Sequence, residues 1–282
     1  MMEIIKKWVI NYYLWLMLGC SILAIGFACI SGYQVYQLLT LDTPTVSKKT
    51  FRIVPKLQEE ILSDTITVTV SPGDTVEIIS QKLEQCGVIS RDDFFSYLRQ
   101  CRMNLEGLVF EGEYSIPIPS TPKEILSILL KPYEDWSETE ANRFITLGRT
   151  SKEIITIASM IEKEAAEDSE RPVIAGVIYN RLKKNMKLQI DATVIYALGT
   201  HKSRLTYEDL KIDSPYNTYI IEGLPPGPIC TPREASIEAA LNPDMHSYFY
   251  YVLSAYGSKK HLFAETYEEH LNNVAKYKTT LN

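Results

Sequence analysis

Positive charge is in short supply: 29 Lys and Arg stand against 35 Asp and Glu in 282 residues, a formal net charge of −6. Binding a nucleic-acid backbone needs clustered cations that release counterions, so nucleic acid is excluded as a partner. Cysteine is also scarce. Cys20 and Cys29 lie in an apolar run, which leaves Cys86, Cys101 and Cys230. No disulfide framework follows from an odd remainder, and only Cys86 and Cys101 are close enough in sequence to suggest a pair. The four histidines, His201, His246, His261 and His270, lack the spacing of a zinc site, so no metal and no cofactor is expected. The most informative absence is local: no charged residue occurs between Trp8 and Leu41.

That uncharged stretch exceeds the roughly 20 residues that cross a hydrocarbon core as a helix, and it predicts a transmembrane helix at residues 12–33. Trp8, Tyr12, Tyr13 and Trp15 suit an interfacial belt. Lys6 and Lys7 precede the span, whereas Lys48 and Lys49 lie well beyond it, so the positive-inside rule puts the N-terminus in the cytoplasm and the remainder outside. A cleaved signal peptide is the alternative; the apolar run is too long for one and no clean A-x-A site follows. Residues 1–41 thus read as a cytoplasmic stub plus membrane helix, and 42–64, with Pro44, Pro55 and no sustained period, as a linker.

The rest predicts a mixed α+β protein. TITVTV (65–70) alternates like a strand, SPGD (71–74) turns, and a helix follows over 75–86, with Asp74 and Glu77 as a capping box and Gly87 as its stop. Ser90 and Asp93 begin another helix. A third, over 151–168, opens with Thr150 and Glu153 as capping box and has Ile154, Ile157, Ala158, Ile161 and Ala165 as its apolar stripe. Glu162 and Glu164 flank that stripe on opposite sides, and periodicity alone does not decide between them. Thr231, with Pro232 and Glu234, predicts the start of a later helix; HSYFYYVLSA (246–255) reads as a buried strand, and 259–277 adds a short strand and a terminal helix.

Five ordered motifs complete the pattern: ITIASMIEKE (155–164), ERPVIAGVIYNRL (170–182), LQIDATVIYALG (188–199), SPYNTY (214–219) and GLPPGPICTP (223–232). Together they resemble the membrane-anchored endolytic murein transglycosylases, the family also called YceG-like. The resemblance implies a catalytic domain over 105–282 and, before it, a short LysM-like module over 65–104 that contacts glycan. Leu105-Glu106-Gly107 matches the LEG that opens the catalytic domain, but the next stretch reads Phe110-Glu111-Gly112-Glu113-Tyr114, without the family's Pro and Asp. The same residues suit the second half of the small module equally well. Asp191 precedes Ala192 where the family commonly has Pro.

The family's catalytic acid is the second glutamate of EKE, here Glu164, with Glu162 and Glu106 as secondary candidates. Gln189, Asp191, Thr193, Asn217 and Tyr219 offer hydrogen-bonding groups and Tyr216 a stacking ring, the two things a saccharide groove needs. Arg181 reads as a helix-end or carboxylate partner. One carboxyl suffices for a lytic transglycosylase, because the C6 hydroxyl of N-acetylmuramic acid attacks in place of water. A hydrolytic muramidase needs a second acid, and Asp191 and Glu106 are the candidates. A silent, membrane-tethered glycan-binding scaffold is the alternative from another class. The resemblance further implies nascent peptidoglycan strands as substrate, a single-pass place in the inner membrane, and penicillin-binding proteins and the elongation machinery as partners.

Overall fold

The computed structural model describes residues 64–200, 202 and 204–281. The expected membrane helix and nearly all of the linker lie outside the described residues, among which no helix is long and apolar enough to cross a membrane. The described part is mixed α+β and holds two hydrophobic cores.

Strand β1 (Asp64–Val70) places its valines inward and its threonines outward, as the alternation requires. It is followed by α1 (Val76–Gln85) and α2 (Arg91–Cys101), and then by β2 (Gly112–Ile118). β2 returns antiparallel to β1, with Asp64 opposite Ile118 and Val70 opposite Gly112. Val68, Val70, Tyr114 and Ile116 face Leu83 and Phe94 across the first core. The boundary expected at residue 104 therefore falls between two strands that pair with each other. Of the two readings open for residues 105–114, strand pairing favours the small module. Helix α1 is capped by Thr75, whose hydroxyl accepts from the Ile78 N–H at 3.4 Å. Asp74, expected in that role, instead accepts from the Ser71 N–H and from Lys82. Ser90 caps α2 as expected. Cys86 and Cys101 are free thiols.

Helix α3 (Pro122–Thr139) joins the two cores. Its first half buries Ile125, Leu126, Leu129 and Leu130 in the first core. Past Pro132, Tyr133 and Trp136 pack with Phe110 and with Phe144 of α4 (Ala141–Leu147) against the second. The second core surrounds α5 (Ser151–Glu164), which starts with the capping box of Thr150 and Glu153. Every residue over 154–161 is buried, so α5 is enclosed on all sides and not striped, as its sequence suggested. Helix α6 (Arg171–Lys183), α7 (Asp191–Leu198) and α8 (Glu234–Leu241) enclose it, and a hairpin of β3 (Tyr250–Leu253) with β4 (His261–Ala264) leads to α9 (Tyr267–Thr279). Helix α5 ends at Glu164, four residues before the expected stop, because Ala165 turns extended at ψ 116°. Nor does Thr231 cap α8, since its hydroxyl donates to the Val109 carbonyl, 2.8 Å away, and Arg233 takes the cap position.

Backbone bonds fasten the small module to the second core. The Gly73 N–H donates to the Thr231 carbonyl and the Thr231 N–H to the Asp74 carbonyl, both at 2.7 Å. Lys163 adds a bond to the Gly73 carbonyl at 2.9 Å. Gly107 sits at φ +70°, where an added Cβ would lie 2.4 Å from the Pro228 ring, so this close approach requires glycine.

Candidate active site

The end of α5, the start of α7, the start of α1 and the 103–106 segment line one cleft of about 1160 Å³. The early end of α5 is what opens Glu164 to it: as last helical residue, Glu164 is half-buried and lines the cleft, while its own helix is otherwise submerged. Tyr251 on β3 donates to Glu164 Oε2 at 2.9 Å. Burial raises the Glu164 carboxyl above its ordinary range, and the charge of Asp191 adds to that; the Tyr251 bond and the positive charge of His261 and Arg181 pull the other way. Burial likewise pushes the Tyr251 hydroxyl well up, so it stays a donor.

Glu162 has a different environment. Its side chain is 5% exposed and paired with Arg171 at 3.4 Å and Arg233 at 3.0 Å. Ser236 donates to it at 2.7 Å. Two cations and a hydroxyl occupy it fully, and it does not line the cleft. Thus two glutamates that periodicity left equivalent divide into a neutralised tie between helices and an accessible acid.

Asp191, exposed at the first position of α7, faces the same cleft and accepts a hydrogen bond from the Tyr219 hydroxyl. Glu106 is buried beside them. It accepts from the Val76 N–H and from the Tyr196 hydroxyl, each at 3.2 Å. Burial pushes its carboxyl up to about 7, against those two bonds and the nearby charge of Lys163.

The remaining expected binding residues scatter. Gln189 is exposed at φ +51°, and its backbone N–H is held by the Thr218 carbonyl. Tyr216 is half-buried with its ring 4.8 Å from that of Tyr196. Thr193 is fully buried, bonded to the Ile190 carbonyl and Thr218. Asn217, also fully buried, donates to the Leu210 and Ile212 carbonyls and accepts from the Tyr219 N–H. Those two side chains hold the loop that carries Tyr219 and have no group left for a ligand. Arg181 clamps the Phe249 and Leu188 carbonyls at 2.7 Å and lies over the Tyr250 ring, a helix-end partner as expected.

Sequence reasoning missed Tyr251, lost among eighteen tyrosines, and the His261–Glu170 pair at 2.7 Å. The strand alternation held a signal for both. Tyr251 pairs with Phe263 and Leu253 with His261, so all four share the hairpin face on which Tyr251 meets Glu164.

The sequence pattern of the YceG-like family matches residues 45–276. The chain belongs to the YceG-like family. Within that family it is 42% identical, over 179 residues, to the endolytic murein transglycosylase of Bacillus subtilis, covering 63% of this chain and 49% of that protein. It is 34% identical over 181 residues to the endolytic murein transglycosylase of Streptococcus pneumoniae, covering 62% of this chain and 33% of that one. The chain thus spans about half of the first relative and a third of the second. The crystal structure of a YceG-like protein from Listeria monocytogenes matches with a TM-score of 0.66 at 32% identity, over 79% of this chain and 80% of that chain.

Proposed function

We propose that this YceG-like protein is an endolytic murein lytic transglycosylase that cuts the bond between N-acetylmuramic acid and N-acetylglucosamine. The observation that carries this reading is the contrast at the end of α5: Glu164 opens on the cleft with a raised pKa and, among the described residues, a single hydroxyl donor, while Glu162 is spent on Arg171, Arg233 and Ser236. Protonated Glu164 gives its proton to the glycosidic oxygen as the C1–O bond breaks and positive charge develops at C1 of muramic acid. The resulting carboxylate then takes the proton of the C6 hydroxyl of that sugar as its oxygen bonds C1, closing a 1,6-anhydro ring. Tyr251 steadies the carboxylate through Oε2 and leaves Oε1 to carry the proton. Tyr219 and Asp191 form a polar wall facing the sugar.

The wider assignment follows the same reading. Residues 12–33 anchor the protein in the cytoplasmic membrane with its catalytic part outside, and the module built on β1, α1, α2 and β2 is LysM-like and contacts glycan. Nascent strands are the substrate, cleavage ends their elongation, and cell-wall synthases of the penicillin-binding class are partners.

A second reading has one observation in its favour. Asp191 is an exposed carboxylate in the same cleft whose charge acts on Glu164, which makes it the candidate second acid of a hydrolytic muramidase. Mass spectrometry of glycan fragments separates the two. Anhydro-muramic ends mark the transglycosylase; reducing ends, heavier by one water, mark the hydrolase. The absence of any product would leave a glycan-binding scaffold.

A further inference from the structure

The cleft is larger than one glycosidic bond requires, since about 1160 Å³ exceeds the roughly 300–1,000 Å³ that encloses drug-sized ligands. The extra room lies against the small module. Ile78 and Met103, 37% and 38% exposed, form an apolar wall there with Phe95. Arg99 and Arg102 stand on that wall with no ion-pair partner among the described residues, whereas its acid, Glu77, is already paired with Arg91. Lys163 beside Glu164 also lines the cleft but is bonded to the Gly73 carbonyl, and Glu106 is bonded to Tyr196, which leaves Arg99 and Arg102 as guanidiniums on the arm of the small module without an acid partner among the described residues.

We propose that this arm binds the acidic stem peptide of the same muramic acid residue that reacts at Glu164. The proposal rests on the transglycosylase reading and names the form of substrate it takes. The stem hangs from the lactyl ether of the sugar whose C1 is attacked, so it starts within a few bonds of the reaction centre. It is alanine-rich and carries free carboxylates. Its methyl groups suit the wall of Ile78, Phe95 and Met103, and its carboxylates suit the forked donors of Arg99 and Arg102.

Glu164, Arg99 and Arg102 line the same cleft, and a stem of five residues extends to roughly 17 Å.

The test uses the full chain in detergent carrying Glu164→Gln, titrated with stem-bearing glycan oligomers and with the same oligomers stripped of stems by an amidase. The proposal expects at least fivefold tighter binding of the stem-bearing form, and loss of that difference when Arg99→Gln and Arg102→Gln are added. Equal affinity for the two oligomers overturns it, as does a double variant that weakens both alike. Should the double variant not fold, each single substitution gives the same comparison. Turnover by the unsubstituted chain separates the two readings. Stem-selective binding without cleavage sinks the transglycosylase and leaves this site standing; cleavage without stem selectivity does the reverse.

Discussion

One lysine separates two glutamates with opposite fates, and the difference arises from what packs against each. Burial disfavours the charged form of Glu164, and among the described residues only Tyr251 supplies it a donor, so the carboxyl holds its proton to higher pH than usual. An acid that must be protonated loses activity as pH rises, so kcat should fall through a midpoint above the ordinary carboxylate value. Tyr251→Phe removes a bond that favours the carboxylate, and the midpoint should then move higher still in a pH–rate profile. An unchanged midpoint would detach Tyr251 from the acid. Glu106 carries a different consequence. With its folded pKa about 7 against an ordinary 4.5, the folded state binds the proton more tightly, so the contribution of Glu106 to stability is greatest below pH 4.5, declines as pH rises to about 7, and is level beyond. The decline is on the order of 3 kcal/mol at most. Melting curves at pH 5 and pH 7.5 should show it, and Glu106→Gln should flatten it. The upward direction for Glu164 was legible in its place at the border of an apolar stripe; the value for Glu106 was not, because burial and cross-element partners set it.

At the level of elements, local chemistry was readable and tertiary ends were not. The capping box of Thr150 and Glu153 could be read directly because it uses residues three apart; Thr150→Ala should cost about 1 kcal/mol in a denaturant titration. The strand before α1 was equally plain from its threonine–valine alternation. The end of α5 was not, since no glycine or proline marks it and the break comes from how residues 165–170 lead into α6. Thr231 shows the complementary failure. Its sequence context fits a cap, yet a carbonyl 122 residues away claims its hydroxyl. Asn217 and Thr193 looked like ligand groups because amide and hydroxyl chemistry does not reveal whether the partner is sugar or backbone.

Across the molecule, what matters is how two cores meet at one cleft. The GLPPGPICTP loop presses on Gly107 through Pro228 and clasps Gly73 and Asp74 through Thr231, so the motif fastens the small module to the second core. Gly107→Ala places a Cβ where the Pro228 ring already lies and strains a positive φ; it should lower stability by about 1–3 kcal/mol and depress activity with it. A variant with full activity and an unchanged melting point would deny that this contact shapes the cleft. The five motifs were legible as ordered patterns, and bonds such as Arg171–Glu162, Arg181–Leu188, Tyr219–Asp191 and Ile229–Ser159 link them in a chain, while the pairing of β2 with β1 escaped notice because it depends on register across more than forty residues.

The central claim is that the second glutamate of EKE is the acid and the first is a structural tie. It is tested most directly by purifying Glu164→Gln and Glu162→Gln side by side and measuring both glycan cleavage and thermal stability. Glu164→Gln should keep the parent melting temperature and lose about 10²-fold or more in kcat. Glu162→Gln should remove the charge that Arg171, 1% exposed, shares with Arg233, leaving Arg171 only Asp168, at 2.8 Å, as a counter-charge among the described residues, and melt lower by several degrees, consistent with about 1–3 kcal/mol, while still cutting strands at temperatures where it is folded. The reverse pattern, with Glu164→Gln active and Glu162→Gln folded but inert, would contradict the account.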